Sequence, residues 1–212
     1  MKFRKLLNGR ALYIEKDRIW IARGMSFLAV DFSGNPVSPT CRVGSLKHRI
    51  LSCTPHSRLL LREGLHHLLP MSDGNIFVTG RKQAYIVNKQ GETVSSFSGY
   101  AGNKPAHQGV CVTPDNTLFF GEYAVNLDHS KAIHLYRSRD GGKHLESILC
   151  FDKTIRHIHF VKYDPYERAI WLGTGDADSE CRLMKSLDNG DSWETVGEGS
   201  QDWRAIGVCF SE

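Results

Sequence analysis

The feature that most narrows what this chain can become is a short pattern, S-x-D-x-G, that occurs twice. Ser138-Arg139-Asp140-Gly141-Gly142 and Ser186-Leu187-Asp188-Asn189-Gly190 carry it, with their serines 48 positions apart. Each copy follows a β-rich run, residues 133–137 and 182–185, and precedes another, residues 145–149 and 194–196. An offset alignment has nearly the same period. Residues 106–115 lie over 155–164, and residues 117–122 lie over 169–174 with a slightly longer turn. A fixed period of this size marks a solenoid or a radial array before any topology is drawn.

Between the repeats the chain alternates short β-rich runs with turn residues. Residues 12–14, 19–22, 76–79, 84–88, 118–121, 133–137 and 170–173 read as strands. Ser72-Asp73-Gly74-Asn75, Lys89-Gln90-Gly91, Pro114-Asp115-Asn116 and Leu187-Asp188-Asn189-Gly190 read as hairpin turns. Helical periodicity is nearly absent. A unit of about 45 residues with four short strands has the size of a propeller blade. The expected fold is therefore all-β, a β-propeller of four-stranded antiparallel blades in one domain spanning residues 1–212. The blades are placed at 1–45, 46–100, 101–152 and 153–202, and 203–212 reads as the first strand of a further blade. Between four and five blades are thus expected, as the front part of a six- or seven-bladed propeller.

Composition sets outer limits. A formal net charge of +4, spread along the chain, makes no basic stripe of the kind that phosphate neutralisation needs, which argues against nucleic acid. No run approaches the roughly twenty apolar residues of a membrane span. The opening Met1-Lys2-Phe3-Arg4-Lys5 is followed by Asn8, Gly9 and Arg10 and not by an apolar leader, so a cytoplasmic protein is expected. The six cysteines, Cys41, Cys53, Cys111, Cys150, Cys181 and Cys209, include no C-x-x-C pair and read as free thiols.

At its two boxes the chain resembles the BNR-repeat, or Asp-box, sialidase-like superfamily, from about Gly64 onward. Trp193 completes the second box; His144 stands where that family has Trp in the first. The resemblance implies a structural box in the hairpin between the third and fourth strands, formed by Ser138, Asp140, Gly142, Ser186, Asp188, Gly190 and Trp193. Sialidases of the family also carry an F-R-I-P motif, an arginine cluster, an aspartate acid and a tyrosine nucleophile. Phe3-Arg4-Lys5 lacks the rest of that motif, and the later arginines and tyrosine would fall past residue 212. Residues 163–166, 174–176 and 199–204 are similar to bacterial BNR-repeat proteins, some associated with surface-polysaccharide genes.

In a propeller, residues at like positions of successive inner strands converge on one mouth. The alignment puts His66, Gln108 and His157 in one register and His107 and Arg156 in the next. His157 and His159, two apart on a strand, face the same side. Two imidazoles there can act as acid and base, bind a metal or hydrogen-bond neighbouring strands. The catalytic candidates are His107, His157, His159, Glu122 and Asp176, and the substrate-binding candidates are Arg156, Arg204, Trp203, Tyr123 and Gln108. No metal ligand set is assigned beyond the pair His157 and His159, and a divalent metal is the one cofactor left open.

The leading expectation is a carbohydrate-active propeller that acts on or binds an acidic or decorated oligosaccharide or polysaccharide. A glycoside hydrolase would need two carboxylates flanking the bond. A polysaccharide lyase would use a His or Tyr base, with Arg or a metal neutralising a uronate. The competing class is a non-catalytic propeller that binds protein or glycan.

Overall fold

The computed structural model describes residues 8–211. Phe3, Arg4 and Lys5, the remnant of the early motif, lie outside the described residues. The chain forms two compact units, Met1–Ser98 and Gly99–Glu212.

The first unit holds two four-stranded sheets. One is β1 (Arg10–Ile14), β2 (Ile19–Arg23), β3 (Ser26–Val30) and β4 (Cys41–Arg42). The other is β5 (His67–Pro70), β6 (Ile76–Gly80), β7 (Gln83–Val87) and β8 (Thr93–Ser98). The second unit repeats the pattern. Its sheets are β9 (Val110–Val112), β10 (Leu118–Gly121), β11 (Ile133–Ser138) and β12 (Glu146–Phe151), then β13 (Ile158–Asp164), β14 (Ala169–Thr174), β15 (Arg182–Ser186) and β16 (Glu194–Glu198). Every sheet is an antiparallel meander in chain order.

Burial is graded across these sheets. β6 and β10 are buried at every residue, whereas the fourth strands β8 and β16 are mostly exposed. Strands covered on both faces read as continuous apolar runs, which is how Ile76-Phe77-Val78 and Leu118-Phe119-Phe120 are written. Phe27 and Phe77 anchor the first unit, and Phe119, Phe120 and Phe160 anchor the second, all fully buried. Each contributes roughly 1.5–3 kcal/mol by leaving water.

The same irregularity recurs where third strands meet fourth strands. The register slips so that Val94, Ile148 and Val196 each stand as an extra residue in the outer strand. A bulge bends and twists the strand that carries it. Its repetition gives three of the four sheets one shared shape.

The hairpins at those junctions take two forms. In the second unit the serine and aspartate of each S-x-D-x-G pattern fold it inward. Ser138 Oγ donates to Asp140 Oδ1 at 2.8 Å and accepts from Gly142 N at 2.9 Å. Ser186 Oγ does the same with Asp188 and Gly190 N, both at 2.8 Å. Gly190 adopts φ +86°, and a Cβ there would come within 2.9 Å of the Phe119 ring, so both backbone and packing demand glycine. Trp193 packs on the core cluster of this unit. In the first unit a single side chain closes each turn. Asp31 Oδ1 accepts from Ser33 N and Asn35 N at 2.8 Å, and Asn88 Oδ1 accepts from Gln90 N at 3.0 Å and Glu92 N at 2.9 Å.

Two sequence expectations differ from the fold. Residues 46–61 form two short helices, α1 (Leu46–Leu51) and α2 (Pro55–Leu61). α2 starts with Pro55 at its first position, after Thr54, whose hydroxyl accepts from Ser57 N at 3.1 Å. The C-terminal run expected to open a further blade is not a strand among the described residues. Gln201–Trp203 is a 3-10 turn, and side chains hold the segment after it: Ala205 O accepts from His159, and Val208 N donates to Gln108 Oε1 at 3.1 Å. Those bonds occupy the groups that a β-ladder would use.

Candidate functional site

In the second unit, side chains converge where β13 begins and β14 ends. The Tyr123-Ala124 segment after β10 lies against residue 157: Ile158 N donates to Glu122 O at 2.9 Å, and Tyr123 bridges to His157. β13 then departs from regular pairing. Ile158 faces Thr174 and Phe160 faces Gly173, so His159 is an extra residue between them. Bulges re-aim side chains beside sites, and this one turns His159 toward His157. Their Nε2 atoms stand 3.1 Å apart, with both residues buried at 6% exposure.

Each ring is fixed from behind. His157 Nδ1 donates to Ala124 O at 3.0 Å, and His159 Nδ1 donates to Ala205 O at 3.1 Å. In front of the pair sits Asp176, on the loop that leaves β14 through Gly175. A Cβ on Gly175, at φ +109°, would fall 2.6 Å from the Cys181 backbone, so the loop can close this tightly only on glycine. Asp176 Oδ2 lies 3.4 Å from His157 Nε2, and Oδ1 lies 3.4 Å from His159 Nε2.

Two guanidiniums back the carboxylate: Arg204 donates to Asp176 Oδ1 at 2.8 Å, and Arg156 Nη1 comes within 3.9 Å of Oδ2. Arg156 is itself held by Glu180, 3.1 Å from its Nε, and His129 Nε2 lies 2.8 Å from the same glutamate oxygen. The Tyr123 ring leans on His157 with centroids 4.1 Å apart and keeps 39% of its surface in water.

The electrostatics follow from this arrangement. Partial burial pushes the Asp176 carboxyl up, but the hydrogen bond from Arg204 and the electrostatic influence of the neighbouring His157, His159 and Arg204 outweigh it, leaving the pKa below the ordinary carboxylate value. Burial, then the neighbouring His157, hold the His159 imidazole below its usual value.

The structure sorts the sequence candidates into three groups. His157, His159, Asp176, Arg156, Arg204 and Tyr123 come together. Glu122, Gln108 and Trp203 answer structural needs. The Glu122 carboxylate is buried and accepts from Ala101 N at 2.6 Å, His134 N at 2.8 Å and Tyr136 Oη at 3.3 Å. Gln108 holds Val208, and Trp203 lies flat over Gly197, where even a Cβ would meet its ring at 2.2 Å. His107 is exposed and stands outside the cluster of His157, His159 and Asp176. His129 is the contributor that the alignment misses: it sits at φ +51° in the loop between β10 and β11, at no repeat position.

No family model and no curated protein matches the chain. Solved structures do. A chain of the mitotic checkpoint complex superposes with a TM-score of 0.59 at 14% identity, over 93% of this chain and 55% of that one. The extracellular domain of a one-component system from B. thetaiotaomicron gives 0.56 at 13% identity, over 89% of this chain and 22% of that one. A catalytically inactive virginiamycin B lyase from Staphylococcus aureus, crystallised with quinupristin, gives 0.54 at 13% identity, over 87% and 53%. This chain thus spans about half the length of the first of these structures. Such identities speak to architecture alone, and with the four meander sheets they show an all-β protein of the β-propeller type.

Proposed function

We propose that the second unit binds the carboxylate of an acidic glycan beside His157, His159 and Asp176 and cleaves the adjoining glycosidic bond by elimination. The observation that carries this reading is the convergence of two buried imidazoles and one carboxylate, backed by two guanidiniums, at a place where Arg204 keeps 43% of its side chain in water. The box hairpins between third and fourth strands support kinship with the sialidase-like propellers.

Elimination is favoured over hydrolysis by the count of available carboxylates. Glycosidases place two carboxyl groups about the scissile bond. Here Glu122 is saturated by backbone N–H groups and a tyrosine, Glu180 by Arg156 and His129, and Asp178 receives Gln201 at 2.8 Å. Among the described residues, Asp176 is the one carboxylate that faces both imidazoles.

The centre itself calls for positive charge. Because each Nδ1 faces a carbonyl, which can only accept, the neutral rings turn lone pairs toward one another and toward a carboxylate. A proton or a cation between them relieves that conflict and turns the centre into an electrophile for a substrate carboxylate. Arg204 has five N–H donors and gives one to Asp176, so the others can fork onto the same substrate group.

Tyr123 Oη is assigned the proton transfer. Acting as the phenolate, it takes the proton from the carbon next to the carboxylate, and the freed C–H pair becomes a C=C bond. The C–O bond to the neighbouring sugar breaks with its electrons, and the leaving oxygen takes the proton back from Tyr123. The test is to incubate the whole chain with acidic oligosaccharides, such as polygalacturonate fragments, following ultraviolet absorbance and product mass. Unsaturated ends that fall at least tenfold in Tyr123→Phe support elimination. Saturated products would replace it with hydrolysis, and saturable binding without cleavage would leave a non-catalytic glycan-binding module.

A further inference from the structure

We propose that His157, His159 and Asp176 form a binding site for a first-row divalent metal ion, zinc by preference, with a coordination position open to a ligand. The inference concerns the ion itself and stands whether or not a glycan is the substrate.

Three observations carry it. First, the ligand atoms are spaced as if around an ion. Zinc bonds to imidazole nitrogen and carboxylate oxygen run about 2.0–2.1 Å, so neighbouring ligand atoms lie roughly 3.3 Å apart in a tetrahedron and about 3 Å apart in an octahedron. The Nε2–Nε2 distance is 3.1 Å, Asp176 spans the pair with Oδ2 3.4 Å from His157 Nε2 and Oδ1 3.4 Å from His159 Nε2, and one ligand atom from each of the three residues lies within 4.8 Å of the others.

Second, both rings are oriented from behind as metal-ligating histidines are. A ligating imidazole donates its second N–H to a carbonyl or carboxylate, which fixes ring and tautomer. The Ala124 and Ala205 carbonyls do this for His157 and His159, leaving the Nε2 lone pairs as the inward groups. Each residue is more than nine-tenths buried, so water reaches these nitrogens poorly and their mutual repulsion has little relief.

Third, β13 is distorted in a way that serves the pair. The inner strands β5 and β9 meet their neighbours β6 and β10 without a slip and β1 inserts Leu12 against β2, whereas the residue that β13 inserts against β14 is a ligand-bearing one, His159. Asp176 can answer both Arg204 and an ion because Oδ1, which also faces His159, carries the hydrogen bond from Arg204, while Oδ2 points to His157. Two nitrogens and one carboxylate suit zinc, manganese, iron(II) or cobalt(II), and fit magnesium and calcium poorly, since those prefer all-oxygen shells.

The experiment uses the whole chain, stripped with a chelator and titrated with Zn²⁺ and, as a spectroscopic probe, Co²⁺. The expected result is one equivalent bound per chain, with visible d–d absorption for cobalt and displacement by zinc. Asp176→Asn and His159→Gln, both checked for folding by circular dichroism, should each weaken zinc binding at least 100-fold, while the exposed His107→Ala leaves it unchanged. If His159→Gln fails to fold, Asp176→Asn on the half-exposed loop decides the matter alone. Fewer than a tenth of an equivalent bound by the parent chain, or parental affinity in a folded Asp176→Asn chain, overturns the site. Metal binding without glycan cleavage would sink the elimination reading and leave this one standing. Cleavage by a chain that binds no metal would do the reverse.

Discussion

Each unit of this protein buries one glutamate against a histidine and an arginine, yet only one of the two stands behind a candidate site. In the first unit, Glu63 lies 3.1 Å from His48 Nδ1 and 3.4 Å from Arg81 Nη1, with its side chain 1% exposed. In the second, Glu180 lies 2.8 Å from His129 Nε2 and 3.1 Å from Arg156 Nε, with its side chain 2% exposed. A buried carboxylate with a histidine and an arginine as partners is therefore a scaffold element in this chain and not a mark of function. The difference lies in the strand nearby. β5 pairs regularly with β6, and its His67 Nδ1 is hydrogen-bonded to the Thr79 hydroxyl at 2.8 Å. β13 is bulged, and its His159 and the preceding His157 donate from Nδ1 to carbonyls and point the other nitrogens at a carboxylate. The candidate site lies where the extra residue of an inner strand is a histidine.

Deleting one residue from each strand tests that difference hardest. Removing Leu69 from β5, where no residue is spare, throws the side chains beyond it onto the wrong face. The expected cost is about 4 kcal/mol or more, with loss of cooperative unfolding of the first unit by urea. Removing His159 from β13 instead brings Phe160 into regular succession after Ile158 against Gly173 and Thr174. That chain should fold at a cost of roughly 1–2 kcal/mol. Equal losses in the two deletions would show that His159 is as integral to its ladder as Leu69 is to β5.

The two glutamates come next in size. Glu63→Ala and Glu180→Ala should each cost about 2–3 kcal/mol, at the low end for a buried ion pair because Arg81 and Arg156 keep 38% and 29% of their side chains in water. Urea midpoints measure this directly. Only the second substitution should also disturb the neighbourhood of Asp176, since Arg156 bridges Glu180 and Asp176. A stability loss confined to one unit would end the equivalence drawn between them.

Much of this was legible in the residues, and the exceptions have physical causes. The strands announced themselves because buried inner strands are apolar throughout and the turns between them need Gly, Asn and Asp. The boxes were legible because a serine, an aspartate and a glycine at fixed spacing close one hairpin. The helices were obscured by their length: six and seven residues show no periodicity, and only Thr54-Pro55 signalled a start. Strand alternation predicts a shared face for His157 and His159, but their nitrogens reach 3.1 Å through a bulge, with His157 just before the strand, and that bulge leaves no mark in sequence. His129 was hidden because a loop residue has no register, and Glu122 misled because a buried carboxylate bonded to backbone N–H groups is written with the same letter as a catalytic one.

The hairpins extend the comparison to a smaller effect, through pH. In the second unit, hydrogen bonds from the Ser192 hydroxyl and N–H and from Ser186 hold the Asp188 carboxyl down at about 2; in the first, Asn35 and Ser33 hold Asp31 below its ordinary value. A carboxyl whose folded pKa is depressed contributes stability that is complete above its unfolded pKa, about 3.9, and is lost as pH falls through the folded value. The melting temperature should therefore drop between about pH 4 and pH 2, and the drop should be shallower by a degree or two in Asp188→Asn, whose amide oxygen still accepts in the turn. A parallel acid profile in parent and variant would remove Asp188 from the account.

The mildest test perturbs nothing and asks which unit opens first. Cys53, Cys150 and Cys209 are exposed and should react at once with a thiol reagent, leaving Cys41, Cys111 and Cys181 protected. Burial pushes the Cys111 thiol up to about 12, and burial raises Cys41 as well, so neither offers thiolate until its surroundings open. Their strands are not equally secured. Cys41 belongs to a two-residue edge strand paired only to β3, whereas β9 is paired along its length to β10 and flanked by the bridge from Gln108 to Phe160. Labelling in dilute urea, mapped by peptide mass, should therefore reach Cys41 before Cys111. The opposite order would mean that the unit carrying the histidine pair is the looser of the two, and that the bulge in β13 costs local stability that its neighbours do not restore.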